Sequence, residues 1–411
     1  MAAVPNPPPV PTFQAARHIV EQHAAQVRPG GVETLELLSC AHRVLAEPIF
    51  ADRDFPPFRR AMRDGYAVRA ADLASLPARL QVIGEIKAGA SQEDMPAAVG
   101  EHQAAAIMTG APAPDGADAV VMVEYTSQDG HTVTITRGVA RGDNIVPAGS
   151  EARQGQKLLE PGARIDYRAI AIAASVGKSQ LSVFRRPRVS IAATGDELIE
   201  LREQPAPCQI RNSNTYSLAA QVEAAGGVPV LPGIVRDDMG ELRAAFQNAF
   251  HSDLVLLTGG VSMGKYDLVE QVLAELGAEF FFTGAQIQPG RPVVFGRALG
   301  RYFFGLPGNP ISTMVTFELF VRPMLDALCG ARVDPLRFLH ARLKSEIKTK
   351  TGLTRFLPGL LFGEFEDAQV ELAGWHGSGD VASMGRANCY VVIPPDREKI
   401  HPGEWAAVLL R

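Results

Sequence analysis

The chain has 411 residues, of which 46% are hydrophobic and 21% are charged, so it is long enough for about two to four globular domains and is not intrinsically disordered. Its net charge of −5 and its lack of a long run of Lys or Arg exclude a protein that follows a nucleic-acid backbone. The scattered cysteines form no Cys-x-x-Cys motif, and no apolar run approaches the roughly 18 residues of a membrane span, so we expect a cytoplasmic protein without disulfides.

The N-terminal part predicts one helix followed by a β-rich module. Thr12 is a predicted N-cap for a helix that runs to about Val27, and Pro29-Gly30 ends it. From residue 52 to residue 149 the pattern is one of short β-rich pieces between Pro and Gly. Two loops of this module, residues 63–68 and 108–118, carry a carboxylate or a hydroxyl among turn formers. Their local pattern alone favours ordinary turns.

Residues 187–330 predict a doubly wound, mostly parallel sheet. Apolar strands alternate with amphipathic helices, and a hairpin and a long closing helix over Ser312–Leu328 follow. This alternation is typical of parallel α/β folds. An alanine-rich helix at about Tyr167–Ser175 precedes the unit, and residues 331–411 return to a β-rich pattern that predicts a small barrel or sandwich. In that last part we interpret Gly377-Ser378-Gly379-Asp380 as a plain turn.

Glycines and carboxylates recur in the loops that follow the predicted parallel strands. Ligands of such sheets bind beyond the carboxyl ends of the strands. Glycine lets a ligand oxygen approach backbone N–H groups, and grouped carboxylates suit a hard cation such as Mg²⁺. The sequence therefore predicts a ligand site formed by four loops, which are residues 194–198, 235–238, 258–267 and 306–310.

The third of these loops contains the skeleton of a phosphate-binding P-loop. Residues 259–265 read Gly-x-x-x-x-Gly-Lys, but Tyr266 stands where a P-loop needs a Mg²⁺-binding Ser or Thr. The sequence thus disfavours a P-loop NTPase, while phosphate binding by Gly259 and Gly260 remains an expectation.

A set of motifs in fixed order resembles one enzyme family over nearly the whole chain. They are Asp64-Gly65-Tyr66-Ala67-Val68, Met108-Thr109-Gly110-Ala111-Pro112, Thr194-Gly195-Asp196-Glu197-Leu198, Asn212-Ser213-Asn214, Gly259-Gly260-Val261-Ser262-Met263-Gly264, Pro289-Gly290-Arg291-Pro292 and Leu306-Pro307-Gly308-Asn309-Pro310. Together they resemble the MoeA-type molybdopterin molybdenumtransferases, which include the C-terminal domain of gephyrin. The third loop alone is also similar to the molybdopterin adenylyltransferases, but the N-terminal loops and the C-terminal β unit separate the two families.

The resemblance implies a transferase of molybdenum cofactor biosynthesis that inserts molybdate into adenylylated molybdopterin and releases AMP with the help of Mg²⁺. It implies a homodimer and, as a further partner, the upstream molybdopterin adenylyltransferase. It also implies four parts, which are a linker and dimerisation domain with the N-terminal helix (1–51 and 150–186), the β-rich inserted module (52–149), the α/β molybdopterin-binding domain (187–330) and a C-terminal β-barrel-like domain (331–411).

The resemblance assigns roles to individual residues. Asp64, Thr109, Glu197 and Asp267 are implied catalytic groups, and Asp64 and Thr109 are expected to complete the site of the partner subunit. Glu197, Asp267 and one of Asp237 and Asp238 would hold Mg²⁺, whereas Asp196 is expected to cap a following helix. The implied substrate-binding residues are Thr194, Gly195, Ser213, Gly259, Gly260, Ser262, Gly264, Arg291, Pro307, Gly308, Asn309 and Pro310.

The chain departs from the family pattern at three charged positions. Glu151 follows Gly149-Ser150 where the family commonly has Gly-Glu-Asp, Gln288 replaces a frequent Lys, and Arg63 replaces a frequent Met. We interpret these changes as a redistribution of charge. Two other functions remain open, namely adenylyl transfer to molybdopterin and a scaffold of the gephyrin type, although no long disordered segment supports clustering.

Overall fold

A computed structural model describes residues 10–91, 93–96, 98–260 and 268–410. The chain divides into two compact units, one formed by residues 1–46, 161–166 and 180–411 and the other by residues 47–160 and 167–179. The four-domain division expected from the sequence is finer than this and stays a prediction. Of the described helices, none has both the length and the apolar character needed to cross a bilayer.

The second unit contains the β-rich module. Its main sheet is mixed, with a parallel pair at its centre, and its strand order is Ala119–Met122, Gly65–Val68, Gln103–Ile107, Ala78–Ile86, Thr132–Ile135 and Thr126–Asp129. Two short antiparallel pairs join Arg60–Ala61 to Ile145–Val146 and Ile49–Phe50 to Lys157–Leu159. The helix Tyr167–Ser175 has the bounds that its alanine-rich pattern predicts.

The first unit is built on the predicted α/β sheet. Its strand order is Val228–Val230, Arg188–Thr194, Leu254–Thr258, Arg301–Leu306, Val294–Ala298 and Glu279–Phe282, and Ile234–Val235 also pairs with Arg188–Thr194. The first four strands are parallel, Val294–Ala298 runs antiparallel to them, and Glu279–Phe282, antiparallel to Val294–Ala298, again has the direction of the first four. The doubly wound, mostly parallel fold is thus confirmed. Every residue of the central strand Leu254–Thr258 is buried, as its continuous apolar run predicts.

Helices cover this sheet. They are Asn214–Ala224, Met239–Ala249, Leu268–Glu275, Pro310–Thr316 and Arg322–Leu328. The predicted closing helix Ser312–Leu328 is interrupted by a π turn at Phe317–Val321. Pro323 explains the interruption, because proline has no N–H to donate to the carbonyl four residues earlier. That carbonyl, of Leu319, instead accepts a hydrogen bond of 2.8 Å from Arg17 Nη1 in the N-terminal helix.

The N-terminal helix Phe13–Ala24 joins the α/β part to the C-terminal part. Thr12 caps it as predicted, since Thr12 Oγ1 accepts a hydrogen bond of 3.2 Å from the backbone N–H of Ala15. The ring of Phe13 lies 6.2 Å from that of Phe320 and 5.0 Å from that of Phe356 in the C-terminal part. One apolar core therefore runs through both parts of the first unit.

The C-terminal part is a closed five-stranded barrel, which confirms the barrel-like prediction. Its strands follow one another in the order Thr354–Phe362, Gln369–Leu372, Phe338–Leu343, Trp405–Leu410 and Cys389–Ile393, and the last pairs with the first. The strand Ile287–Gln288 of the α/β part adds to this barrel in parallel with Thr354–Phe362. Smaller elements are the helix Val381–Met384 and the paired strands Ile347–Lys348 and Lys399–Ile400, Val32–Glu36 and Gln180–Phe184, and Leu198–Ile199 and Ile210–Arg211.

Candidate functional site

The carboxyl ends of three parallel strands meet at one edge of the α/β sheet. Thr258, the last residue of the central strand, pairs with Ala193 on one side and with Leu306 on the other. The loops that begin at Thr194, Gly259 and Pro307 therefore lie next to one another, where ligands of such sheets bind. Thr194 also pairs with Val235, so the described residues of all four loops that the sequence singles out lie at this edge.

These loops enclose a cavity of about 220 Å³. Its lining contains six of the predicted substrate-binding residues and the predicted catalytic Glu197. The residues at the cavity are Ala193, Thr194, Glu197, Leu198, Ile210, Arg211, Asn212, Ser213, Asn214, Thr258, Gly259, Gly308, Asn309, Pro310 and Gly379. We call this space the glycine cavity.

Gly259 lets two of the loops approach each other closely. Its φ is +89°, and a Cβ at this position would lie 2.1 Å from the carbonyl oxygen of Thr194. A Cβ at Gly260, whose φ is +56°, would lie 2.8 Å from Thr194 Oγ1. Glycine is therefore needed here in the first place because the ends of two neighbouring strands lie in close contact. This contact forms the floor of the glycine cavity.

Asn214 joins the same strand ends from the helix side. Its Nδ2 donates hydrogen bonds to Thr258 Oγ1 at 3.0 Å and to the carbonyl oxygen of Gly308 at 2.7 Å. Asn214 begins the helix Asn214–Ala224, and Ser213 is in the N-cap position without a side-chain capping bond. Asn214 therefore holds the strand ends around the cavity together, although the sequence predicts a substrate-binding role only for the preceding residue, Ser213.

Two buried polar atoms of the cavity have no hydrogen-bond partner among the described residues. They are Thr194 Oγ1 and Asn214 Oδ1. Thr194 is only 1% exposed, so water does not readily replace the missing partner. Because buried polar groups are nearly always hydrogen-bonded, these atoms indicate that a polar ligand belongs in the cavity.

A group of carboxylates stands beside the cavity. A Cβ at Gly195 would lie 2.5 Å from Glu197 Oε2, so this glycine leaves room for the Glu197 carboxylate. Burial, and then repulsion from Asp196 and Glu197, raises the pKa of Asp237. Such an accumulation of negative charge favours a bound cation.

Two further aspartates of these loops, among the described residues, have structural roles. Asp238 caps the helix Met239–Ala249, since its Oδ1 accepts hydrogen bonds of 2.8 Å and 3.0 Å from the N–H groups of Gly240 and Glu241. The expectation that Asp196 caps a helix is wrong, because the strand Leu198–Ile199 follows it and pairs in parallel with a strand twelve residues further on, Ile210–Arg211. Asp196 Oδ1 instead accepts a bond of 3.4 Å from the N–H of Asp237.

The described carboxylates do not by themselves form a complete metal site. No group of three or more His, Cys, Asp or Glu side chains within the described ranges is arranged to hold a metal ion. The predicted ligand Asp267 lies outside those ranges, as do the predicted substrate-binding residues Ser262 and Gly264. The Mg²⁺ site therefore stays a prediction.

A second cavity of about 420 Å³ lies between the α/β part and the barrel. It contains Arg291 and Pro307, both predicted substrate-binding residues, together with the polar side chains of Gln288, Ser312 and Ser378. We call it the barrel cavity. Its lining is completed by Ile287, Pro289, Gly290, Pro292, Asn309, Leu353, Trp375 and Gly377.

A buried cation stands directly behind the barrel cavity. Arg355 is 6% exposed, and its Nε donates a hydrogen bond of 2.8 Å to Gln288 Oε1. Its Nη1 donates to the carbonyl oxygen of Leu353 at 3.1 Å, and burial lowers the pKa of Arg355. No ion pair links it to a carboxylate in the described part of the chain. The barrel thus supplies a positive charge at the position where Gln288 replaces the frequent Lys.

Asn309 connects the two cavities, because it lines both. Its Nδ2 donates a hydrogen bond of 2.8 Å to Ser378 Oγ, and the carbonyl oxygen of Ser378 accepts one of 3.1 Å from the N–H of Ile311. Ser378 therefore does more than form the turn expected from the sequence, since it holds the barrel loop against the α/β loop.

Asp64 and Thr109 meet in the second unit, as their shared role in the prediction requires. Asp64 Oδ1 accepts hydrogen bonds from the backbone N–H of Thr109 at 2.6 Å and from Thr109 Oγ1 at 2.9 Å. These bonds, the backbone bond foremost, lower the pKa of Asp64. The next residue, Gly65, allows the strand Gly65–Val68 to pair closely with Ala119–Met122, because a Cβ there would lie 1.9 Å from the carbonyl oxygen of Val121.

Replacing Thr109 by valine is expected to raise the pKa of Asp64, but only part of the way to its ordinary value, because the backbone bond remains. Since a lowered pKa keeps the carboxylate ionised at lower pH, the acid limb of any activity that needs Asp64⁻ should move to higher pH. NMR titration of the Asp64 carboxyl measures the change. Thr126→Val is the control, since Thr126 Oγ1 donates to the carbonyl oxygen of Val123. An unchanged titration in Thr109→Val would contradict the assignment.

Family models match three consecutive parts of the chain. Residues 11–177 match the MoeA N-terminal region (domain I and II). Residues 190–327 match a probable molybdopterin binding domain, and residues 340–410 match the MoeA C-terminal region (domain IV).

Relatives and solved structures agree with these matches. The molybdopterin molybdenumtransferase of Bacillus subtilis (strain 168) is 34% identical and covers 98% of this chain and 94% of its own length. The enzyme of the same name from Nostoc is 36% identical over 92% of this chain and 88% of its own. A molybdopterin biosynthesis MoeA protein from Pyrococcus horikoshii OT3 has a TM-score of 0.77 at 29% identity and covers 98% of this chain and all of its own.

Proposed function

Because the chain belongs to the family of molybdopterin molybdenumtransferases, which act in molybdenum cofactor biosynthesis, we propose that its substrates are adenylylated molybdopterin and molybdate and that it releases AMP. An oxygen of molybdate attacks a phosphorus of the phosphoanhydride, the P–O bond between the two phosphates breaks, and AMP leaves as molybdenum is transferred to the dithiolene. Such a reaction needs no covalent nucleophile on the protein. The enzyme acts by positioning the two substrates and by neutralising their charge.

The observation that carries this proposal is the pair of unpartnered buried atoms in the glycine cavity. The Thr194 hydroxyl can donate to a phosphate oxygen, and Asn214 Oδ1 can accept from an N–H of a pterin. Asn214 Nδ2 donates to Thr258 and Gly308, so its oxygen is the atom of this side chain that remains to accept a hydrogen bond. The cavity thus offers groups that match both the phosphate and the ring of molybdopterin.

The barrel cavity supports a binding place for molybdate. Molybdate is a tetrahedral oxyanion, so it requires hydrogen-bond donors and positive charge. Arg291 provides a cation, Ser312 and Ser378 provide hydroxyls, and Arg355 holds Gln288 by its Oε1, which leaves the Gln288 amide as a donor. Because Asn309 lines both cavities, molybdate here would lie beside a pterin in the glycine cavity.

The carboxylates beside the glycine cavity fit a Mg²⁺ ion. Glu197 and Asp237 present oxygen ligands. Burial first, and then repulsion from Asp196 and Glu197, raises the pKa of Asp237, and a bound cation would offset that repulsion. Asp267 is the third proposed ligand. When bound, Mg²⁺ would neutralise negative charge on the phosphoanhydride. Asp238 is the weaker candidate of the adjacent pair, because its Oδ1 already caps a helix.

Four further features of the proposal come from the family resemblance. We propose a homodimer, the action of Asp64 and Thr109 in the site of the partner subunit, the upstream adenylyltransferase as a partner, and a cytoplasmic location. A dimer measured by light scattering and loss of activity in Asp64→Asn would support the first two.

Release of AMP from adenylylated molybdopterin tests the function. We expect purified protein to release AMP only when molybdate and Mg²⁺ are both present, with molybdenum appearing on the pterin in equal amount. Equal release without molybdate would overturn the proposal. Consumption of ATP with bare molybdopterin would instead identify an adenylyltransferase.

Replacing Asn214 by alanine is expected to raise the KM for adenylylated molybdopterin about 10- to 100-fold. The change removes two hydrogen bonds that hold the cavity and one acceptor for the ligand, and each is worth about 1 kcal/mol. Steady-state AMP release measures the effect. The exposed Asn248, on the helix Met239–Ala249, supplies the control Asn248→Ala, for which we expect an unchanged KM. Equal values for both variants would contradict the role of Asn214.

A further inference from the structure

Arg211 brings a positive charge to the edge of the glycine cavity. It ends the short strand Ile210–Arg211, which pairs in parallel with Leu198–Ile199, and this pairing places Arg211 opposite Ile199 in the loop that follows Glu197. Arg211 lines the cavity together with Thr194 and Gly259. The main-chain pairing therefore fixes the point at which the Arg211 side chain leaves the backbone.

The guanidinium of Arg211 is anchored but not neutralised. Its Nε donates a hydrogen bond of 3.1 Å to the carbonyl oxygen of Leu201. This bond leaves both terminal nitrogens available, and no carboxylate pairs with Arg211 within the residues that the structure describes. A planar guanidinium with two free nitrogens is suited to bind a phosphate by two parallel hydrogen bonds.

The other described cations of these loops are directed elsewhere. Arg236 Nη1 donates to the carbonyl oxygen of Asp196 at 3.1 Å. Arg291 lines the barrel cavity. Of the described residues that line the glycine cavity, Arg211 is the one with a positive side chain.

We propose that Arg211 binds the phosphate of the molybdopterin substrate and so selects phosphorylated pterins. The buried Thr194 hydroxyl, which has no described partner, is the second donor to the same phosphate. Asn214 Oδ1, an acceptor, contacts the pterin instead, because an acceptor repels phosphate oxygens. This inference rests on the proposed function, and it adds that the enzyme recognises the phosphate group of the substrate.

A comparison of two ligands with two proteins tests the inference. The ligands are oxidised, fluorescent molybdopterin and the same pterin after phosphatase treatment, and their affinities for the full chain are measured by fluorescence titration. We expect the wild-type protein to prefer the phosphorylated pterin about 10- to 100-fold, as charge-assisted hydrogen bonds imply. In Arg211→Gln this preference should fall towards one, while the affinity for the dephosphorylated pterin stays the same. Arg211→Lys should keep part of the preference.

The control is Arg202→Gln, because Arg202 is exposed in the same loop but does not line the cavity. It should leave the preference intact. A preference that survives in Arg211→Gln, or an equal loss of affinity for both pterins, would overturn the inference. Molybdate-dependent AMP release by the wild-type protein is scored separately. If that release fails while the Arg211-dependent preference is found, the proposed function is wrong and the phosphate site stands.

Discussion

Replacement of Gly259 by alanine is expected to destabilise the first unit by about 3 kcal/mol and to abolish binding of the pterin substrate. Two effects add. A residue with a Cβ at positive φ costs about 1–2 kcal/mol, and the φ of Gly259 is +89°. The new Cβ would also lie 2.1 Å from the carbonyl oxygen of Thr194, so one of the two strand ends must move. That movement opens the floor of the glycine cavity.

Gly277→Ala is the matched control for this prediction. Gly277 has a φ of +75°, and nothing lies within 4 Å of the position of its Cβ. It should therefore lose only the conformational contribution of about 1–2 kcal/mol and keep its affinity for the pterin. Thermal unfolding and fluorescence titration of both variants measure the two effects. Equal loss of stability in the two variants would show that the contact with Thr194 does not require glycine at position 259.

The second large effect is expected at the carboxylates. Glu197→Gln and Asp237→Asn should each lower kcat about 10²- to 10³-fold and raise the Mg²⁺ concentration needed for half-maximal AMP release, because each removes a charge that would hold the cation. The raised pKa of Asp237 predicts the direction in which the affinity for Mg²⁺ changes with pH. Affinity for Mg²⁺ should increase as the pH rises through that pKa, since deprotonation creates the ligand. Asp237→Asn should lose this increase.

Asp238→Ala tests whether Asp238 is a metal ligand or a helix cap. Its side chain accepts two N–H bonds at the start of the helix Met239–Ala249, so its loss should cost about 1 kcal/mol of stability and leave the Mg²⁺ requirement unchanged. Asp237→Asn should behave in the opposite way and raise the melting temperature slightly at neutral pH, because burial first, and then repulsion from Asp196 and Glu197, disfavours ionised Asp237. A changed Mg²⁺ requirement in Asp238→Ala, with none in Asp237→Asn, would reverse the assignment.

The sequence predicts most reliably those features that depend on local pattern. The alternation of apolar strands and helices predicts the α/β sheet, and the bounds of the helix Tyr167–Ser175 agree residue by residue. Thr12 is confirmed as an N-cap because capping needs only neighbouring residues. Glycines that directly follow the ends of strands also indicated correctly where a cavity would form.

Features that depend on distant pairing could not be predicted in this way. The bond from Arg355 to Gln288 joins residues 67 positions apart, so no local pattern could predict a cation beside position 288. Asp196 was misassigned because its Thr-Gly-Asp-Glu context matches a strand that leads into a helix, whereas the next strand pairs with Ile210–Arg211. Little in the sequence indicated that Asn214 belongs to the site, since an asparagine at the start of a helix usually acts only as its cap.

The two-residue strand Ile287–Gln288 has a mechanical consequence. It belongs to the α/β part by position in the chain, yet it is paired with Thr354 and Arg355 at the edge of the barrel. A hinge between the two parts would have to break these main-chain bonds and separate the apolar core that they share. The barrel cavity therefore cannot open and close by rotation of the barrel as a rigid lid. For the proposed binding of molybdate, entry and exit would then depend on movement of side chains and loops around the barrel cavity, such as Ser378 and Arg291.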